Sequence, residues 1–307
     1  MTAVATPPKK QSQRGRPGQS SPKLAYLTII FLAFAIGIPL LIIVVYSFLE
    51  KPSQGTGVKW VFTLENYKAL FIQEKLDGTT ALDTRYIKVL WASFYYSVIT
   101  TVVTLVLSIP VAMWIATRDA RKRNLLVALV TLPFWISILI RTYGMRQIIA
   151  DEGPIGKFLD IFNIEFSILY SPPATILGLI YVFLPFMILP IYASAERFDF
   201  RLAEAAYDLG AKRMTVVRRI ILPSIRPGVI SGIALVFIPA LGSFLQSDML
   251  GGGKTNMVAN IIANNFGQAR NWPFGSALAV LLIVLTLLFV LIIQGAAKRR
   301  GDKVELV

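Results

Sequence analysis

Six apolar stretches constrain this chain more than any other feature it has. A hydrocarbon core of about 30 Å takes roughly 20 residues of helix. Stretches near that length, with few or no internal charges, run at Leu24–Leu49, Ser93–Thr117, Leu125–Ile140, Ala174–Ala193, Pro227–Gln246 and Phe274–Ala296. The third is short, and Arg141, Tyr143 and Arg146 mark its outer end. In lipid every backbone N–H and C=O must be satisfied within the protein, so runs of this length fold as helices. The expected architecture is an all-α integral membrane protein with six transmembrane helices. Only 16% of the 307 residues are charged, against about a quarter in soluble domains.

The charge that remains sets the direction of the spans. Net charge is +14, which in a soluble chain would invite a nucleic-acid reading. Here the excess lies in the tails and in alternate loops. Lys9, Lys10, Arg14, Arg16 and Lys23 precede the first span without an acid among them. Arg118, Arg121, Lys122 and Arg123 follow the second. Seven basic residues against four acidic occupy Glu196–Arg226, and Lys298, Arg299, Arg300 and Lys303 close the chain. These regions hold 20 of the 31 Lys and Arg residues, whereas the long loop Glu50–Trp91 is nearly balanced at six basic and five acidic. Basic loops stay inside, so both termini are expected in the cytoplasm. Nucleic acid is not an expected partner; the lipid bilayer is.

Five units follow from this reading: a disordered cytoplasmic tail at 1–23, a first transmembrane helix at 24–49, an extracytoplasmic loop at 50–92, a core of five helices at 93–296, and a second tail at 297–307. The first tail is rich in Pro, Gln, Ser, Gly and Lys/Arg, and cannot bury enough apolar surface to fold. The first span is too long for a signal peptide's apolar core and lacks a small-residue cleavage site. Pro39, Pro110, Pro133, Pro185, Pro190 and Pro239 fall inside spans, where a missing N–H kinks a helix and can serve packing or a gate.

The absence of Cys and His removes disulfides, Cys/His zinc sites and the Ser-His and Cys-His nucleophile pairs. No metal site and no catalytic residues are expected. The string Gly251-Gly252-Gly253-Lys254-Thr255 imitates a phosphate-binding loop. The full motif requires a glycine where this chain has Asp248, and a strand and a helix around it. The string reads instead as a flexible glycine turn, and ATP hydrolysis would have to occur on another chain.

The loop between spans four and five carries the functional signal. It reads Glu204-Ala205-Ala206-Tyr207-Asp208-Leu209-Gly210, then nine residues, then Ile220-Ile221-Leu222-Pro223. Leu202–Leu209 reads as a short helix, with Ala205 and Ala206 small enough to lie close to a partner and Gly210 ending it. A second helix is expected from about Lys212, with Val216, Ile220 and Ile221 on one face, until Pro223 stops it. An ordinary amphipathic helix at the headgroups would show the same periodicity.

This string matches the E-A-A-x3-G-x9-I-x-L-P signature of permease subunits of bacterial ABC importers at every fixed position. From about Leu24 onward the chain resembles the permeases of spermidine/putrescine importers. The strings that carry the resemblance are Phe62-Thr63-Leu64-Glu65-Asn66-Tyr67, Leu132-Pro133-Phe134-Trp135, Leu139-Ile140-Arg141, Leu184-Pro185-Phe186-Met187, Ser247-Asp248-Met249-Leu250-Gly251-Gly252 and Trp272-Pro273-Phe274-Gly275. The resemblance implies a type I ABC importer permease fold in a bacterial inner membrane, with a cytoplasmic coupling helix between helices four and five. Glu204, Ala205, Ala206, Asp208, Gly210, Ile220, Leu222 and Pro223 would then couple the chain to an ATPase. It also implies a second homologous permease, two ATP-binding subunits carrying ATP and Mg, and an extracytoplasmic substrate-binding protein. The chain itself would bind no cofactor.

A polyamine path needs carboxylates, carbonyl dipoles and aromatic faces for cation–π contact. The spans hold no internal Asp or Glu; Asp248, Asp151 and Glu152 lie at the outer rim. Asp248, Trp135, Tyr143, Tyr181 and Phe244 are the candidate path residues. Iron, thiamine and amino-acid-like solutes are alternatives within the same superfamily. A secondary transporter is the rival of another class, but no inverted repeat and no mid-membrane acid supports it.

Overall fold

The structure is a computed structural model and describes residues 22–53, 55–74, 80–162 and 167–298. The expected tails at 1–23 and 297–307 lie almost wholly outside the described residues; α1 starts at Pro22 and α13 ends at Lys298. In chain order the helices are α1 (Pro22–Ser47), α2 (Glu65–Lys68), α3 (Arg85–Ala116), α4 (Ala120–Thr131), α5 (Ile138–Ile149), α6 (Pro154–Ile161), α7 (Pro172–Ala195), α8 (Arg201–Asp208), α9 (Arg213–Val216), α10 (Leu222–Leu241), α11 (Leu245–Gly251), α12 (Val258–Phe266) and α13 (Trp272–Lys298). Two small antiparallel hairpins, β1 (Leu49–Glu50) with β2 (Lys59–Phe62) and β3 (Ile72–Glu74) with β4 (Thr80–Leu82), fill the loop after α1.

Among the described residues five helices are long and apolar enough to cross a membrane: α1, α3, α7, the continuous run from α9 through α10, and α13. The expected third span, Leu125–Ile140, is instead broken. α4 leads into a tight turn at Leu132–Trp135, and the chain resumes as α5 after a 95° bend. Pro133 sits at the start of that turn, and Ile136 and Ser137 are extended (ψ 132° and 137°), which ends the helical hydrogen bonding. The pair counts as one span only if the bent halves cross together.

Three further boundaries moved. α3 starts eight residues before Ser93, because the Asp83 carboxylate accepts the Arg85 backbone N–H at 2.9 Å and grips its guanidinium at 2.7–3.1 Å. Arg85 beside it holds that carboxyl below the usual aspartate range, against the opposing effect of burial. The fifth span ends at Leu241, and Gln246 belongs to the separate helix α11. Pro223 stops nothing. The chain passes from α9 through a five-residue π turn at Val217–Ile221 into α10, where Pro223 occupies the first turn and needs no N–H.

The core joins α3, α7 and α10, through Ala112 and Ile115, Leu179 to Ala195, and Ile225, Val236 and Ala240. Gly228 and Gly232, spaced as in small-xxx-small helix pairs, let α10 press against α7. A Cβ at Gly228 would run into the Pro190 carbonyl, and one at Gly232 would lie 2.7 Å from the Met187 sulfur. α1 packs along α13 at the periphery with its apolar side chains exposed. At its end, Asn66 donates to the Ser47 and Leu49 carbonyls at 3.1 and 2.8 Å, and the Tyr67 hydroxyl donates to Ser47 Oγ at 2.8 Å. Part of the Phe62–Tyr67 string is therefore a cap on the carbonyls that end α1.

Candidate functional site

α7 separates two sites. Its 24 residues span about 36 Å, with α8 following its C-terminal end and α11 packed near its N-terminal end, where Gly178 meets Leu250.

At the α8 end, the signature residues divide by direction. Glu204, Ala205 and Asp208 are exposed on α8, whereas Ala206 turns inward with Ala203 toward Phe198 and Val216. The two alanines thus do different work. Ile220 packs under the same cluster, Leu222 packs on the main core, and Ile221 touches both. Ile221 is the physical link from α8 to α10. Gly210 has φ +78° with open space around it, so it is glycine for its backbone. The Gly210 N–H donates to Tyr207 O and the Ala211 N–H to Ala206 O, at 2.9 and 3.0 Å, closing a Schellman turn. Arg123 in α4 pairs with Glu196, at the end of α7, at 3.2 Å. Leu202 and Leu209 stay exposed, Leu209 at 89%. Pro223 lies in a shallow groove with Arg218, Leu222 and Arg226.

At the opposite end, α11 is locked on every side but one. Gln246 is fully buried, accepts from Ser243 Oγ and lies 3.4 Å from Thr142 Oγ1 of α5. Ser247 Oγ donates to the Thr255 carbonyl, and Leu250 O accepts from Tyr170 N at 2.8 Å. Gly251 is pressed by the Thr175–Thr255 hydroxyl pair, and the Tyr170 ring covers Gly252. Gly252 and Gly253 take φ +56° and +78°. The glycine string is therefore a left-handed turn, packed at Gly251 and Gly252 and open at Gly253. Tyr170 is itself held by Arg146, which donates to its hydroxyl at 2.6 Å.

Asp248 is the residue of α11 left facing open space. With Phe244 it lines a concavity of about 400 Å³, together with Asn256, Asn260, Asn264 and Gln268. Trp135, Tyr143 and Tyr181, the other candidate path residues, are exposed elsewhere on the chain and do not line it. Asp151 and Glu152 line a separate concavity of about 560 Å³ beside Gln147 and Pro154. The four amides went unnoticed in the sequence, although their spacing of four residues from Asn256 to Gln268 is a one-face helical signature. The Trp272-Pro273-Phe274-Gly275 string is structural: Phe274 packs with Leu70 and Leu278, and Gly275 admits Asn265 and Phe266 closely.

The family described as binding-protein-dependent transport system inner membrane component matches residues 89–301. The spermidine/putrescine transport system permease protein PotB of Escherichia coli is 38% identical over 284 residues, covering 91% of this chain and 99% of that protein. The PotB of Haemophilus influenzae is 39% identical over 285 residues, covering 91% and 96%. A solved bacterial ABC transporter involved in import of the acidic polysaccharide alginate superposes with TM-score 0.68 at 18% identity, over 92% of this chain and 96% of that one. The inward-facing MetNI methionine ABC transporter gives 0.51 at 21% identity, over 69% and 93%. At that identity these two show the fold alone, which is that of type I importer permeases. This chain belongs to the family of inner-membrane permease components of binding-protein-dependent ABC importers.

Proposed function

We propose that this permease lines half of a translocation path for a polyamine such as spermidine or putrescine. Its substrate-binding protein docks outside, a second permease completes the path, and two ATP-binding subunits hydrolyse ATP with Mg inside. In this reading the chain sits in a bacterial inner membrane with both termini cytoplasmic, and catalyses no reaction itself. One observation carries the substrate: in a chain with 31 Lys and Arg residues, the concavity at α11 is lined by Asp248, three Asn and one Gln, with no cationic side chain. Such a lining attracts cations and repels anions. Identity of 38% to a spermidine/putrescine permease over 91% of the chain supports the same substrate class.

The coupling step follows from α8. Leu202 and Leu209 present apolar surface that a groove on an ATP-binding subunit would bury, at roughly 1.5–3 kcal/mol for a fully covered leucine. Glu204 and Asp208 add charge around that contact. A displacement of α8 reaches α10 through Ile221 and, through the close α7–α10 packing at Gly228 and Gly232, the core. Asp248 is far from this contact, so the two ends can be tested separately. Asp248→Asn should lower ATP-driven spermidine uptake in proteoliposomes at least several-fold while the complex still assembles. Unchanged uptake would return Asp248 to an ordinary rim residue.

A further inference from the structure

Lys212, Arg213, Arg218, Arg219 and Arg226 place five cations in fifteen residues with no acid among them. The bias of inner loops toward Lys and Arg accounts for their number, but not for their arrangement. Arg218 and Arg226 share the wall of one groove of about 340 Å³ with Leu222, Pro223 and Val229, and no acid lines it. Arg226 is half-buried and has a partner within the chain. Arg218 is exposed and forms no ion pair or hydrogen bond among the described residues. Its guanidinium keeps five donors in a planar fork, the geometry that takes a phosphate through two parallel hydrogen bonds.

The groove extends from that charge into apolar surface. Arg218 sits in the π turn ahead of α10. Leu222, Pro223 and Val229 belong to α10 itself, which rises about 10 Å from Leu222 to Val229. α10 completes one of the helices long enough to cross a bilayer. The groove thus begins on a cation before the span and ends on an apolar residue about two turns inside it. An amphiphile with an anionic head and hydrocarbon tails has the matching distribution.

We propose that this groove holds an anionic phospholipid of the inner leaflet, with Arg218 at its phosphate and Pro223 and Val229 along its acyl chains. The assignment rests on the cytoplasmic placement of α8 and α9 proposed above, and not on which solute the importer carries. A soluble ATP-binding subunit would meet the exposed leucines of α8, whereas Val229 lies at a depth that only lipid or another membrane helix reaches. A neighbouring helix would have to bring its own carboxylate to Arg218 at the edge of the hydrocarbon, which is costly. An anionic headgroup carries its charge at that level already.

The test purifies the complete importer from vesicles of equal parts phosphatidylglycerol and phosphatidylcholine, and measures by native mass spectrometry the ratio of the two lipids that stays bound. Arg218→Gln should lower the ratio about fivefold, as for one cation lost at an anionic surface, and Arg218→Lys should restore part of it. Arg213→Gln removes the same charge from the same run but outside the groove, and should change the ratio little. Equal losses at both positions would reduce the effect to diffuse surface charge and overturn the groove. An unchanged ratio in Arg218→Gln overturns it as well; if the ATP-binding subunits are lost at the same time, the arginine belongs to that interface. Displacement of the lipid by glycerol 3-phosphate, which has the charge without the acyl chains, also overturns the lipid assignment. Placement is tested on its own. A single cysteine introduced as Thr215→Cys in this cysteine-free chain should react with a membrane-impermeant maleimide only in broken cells. Labelling of intact cells overturns the cytoplasmic reading, whatever lipid ratio is found.

Discussion

Gly210 offers the sharpest perturbation, because its φ of +78° and its empty surroundings separate backbone strain from steric clash. An L-residue forced into the left-handed region pays about 1–2 kcal/mol, and a β-branched one is a true outlier there. Asn tolerates the region because its short side chain bonds locally. Gly210→Val should therefore depopulate the turn that sets α8 against α9, by about 5- to 30-fold for 1–2 kcal/mol, whereas Gly210→Asn should lose little. The assay is ATP-driven uptake alongside ATP hydrolysis in proteoliposomes, with membrane insertion checked on the same preparations. The Val variant is expected to insert, to hydrolyse ATP and to transport poorly; the Asn variant to transport at near-normal rate. Normal transport by Gly210→Val refutes the coupling assignment. Equal loss in both variants refutes the backbone argument and means that a partner fills the space beside Gly210.

At the opposite extreme of crowding, Gly228→Ala places a methyl group against the Pro190 carbonyl and Ser194; overpacking of this kind costs about 1–3 kcal/mol and should lower the melting temperature in detergent, while no change would mean that α7 and α10 part easily. Asp83 predicts a pH effect with a defined sign. Its native carboxyl is held below 3.8 by Arg85, so its stabilisation is complete above that value and is lost as pH falls through the lowered native one. Thermal melts of the unaltered protein and Asp83→Asn should therefore differ at pH 7 and converge as pH drops below about 3.8; a gap that persists undiminished into that range would discount the ion pair.

Much of this was legible in residue order. Apolar run length dictated the long helices, since it depends on transfer to lipid rather than on partners in space. The Glu204–Pro223 spacing located the turn that Gly210 closes, and Asp248 and Phe244, close in sequence, came to line one concavity. Trp135, Tyr143 and Tyr181 did not, because exposure of an aromatic on one chain follows from how helices are arranged and not from its neighbours in sequence. The break at Pro133 and the passage of a helix through Pro223 turn on the same residue type with opposite outcomes: the first precedes two extended residues, and the second falls in a first turn after a π turn. Nothing local distinguishes them. The sequence alone determined that this chain carries helices long and apolar enough to cross a membrane and where the Glu204–Pro223 signature lies. Only the tertiary structure decided that α11 is pinned on all sides but that of Asp248, and that α12 faces it with amides, because both depend on contacts between segments brought together by packing.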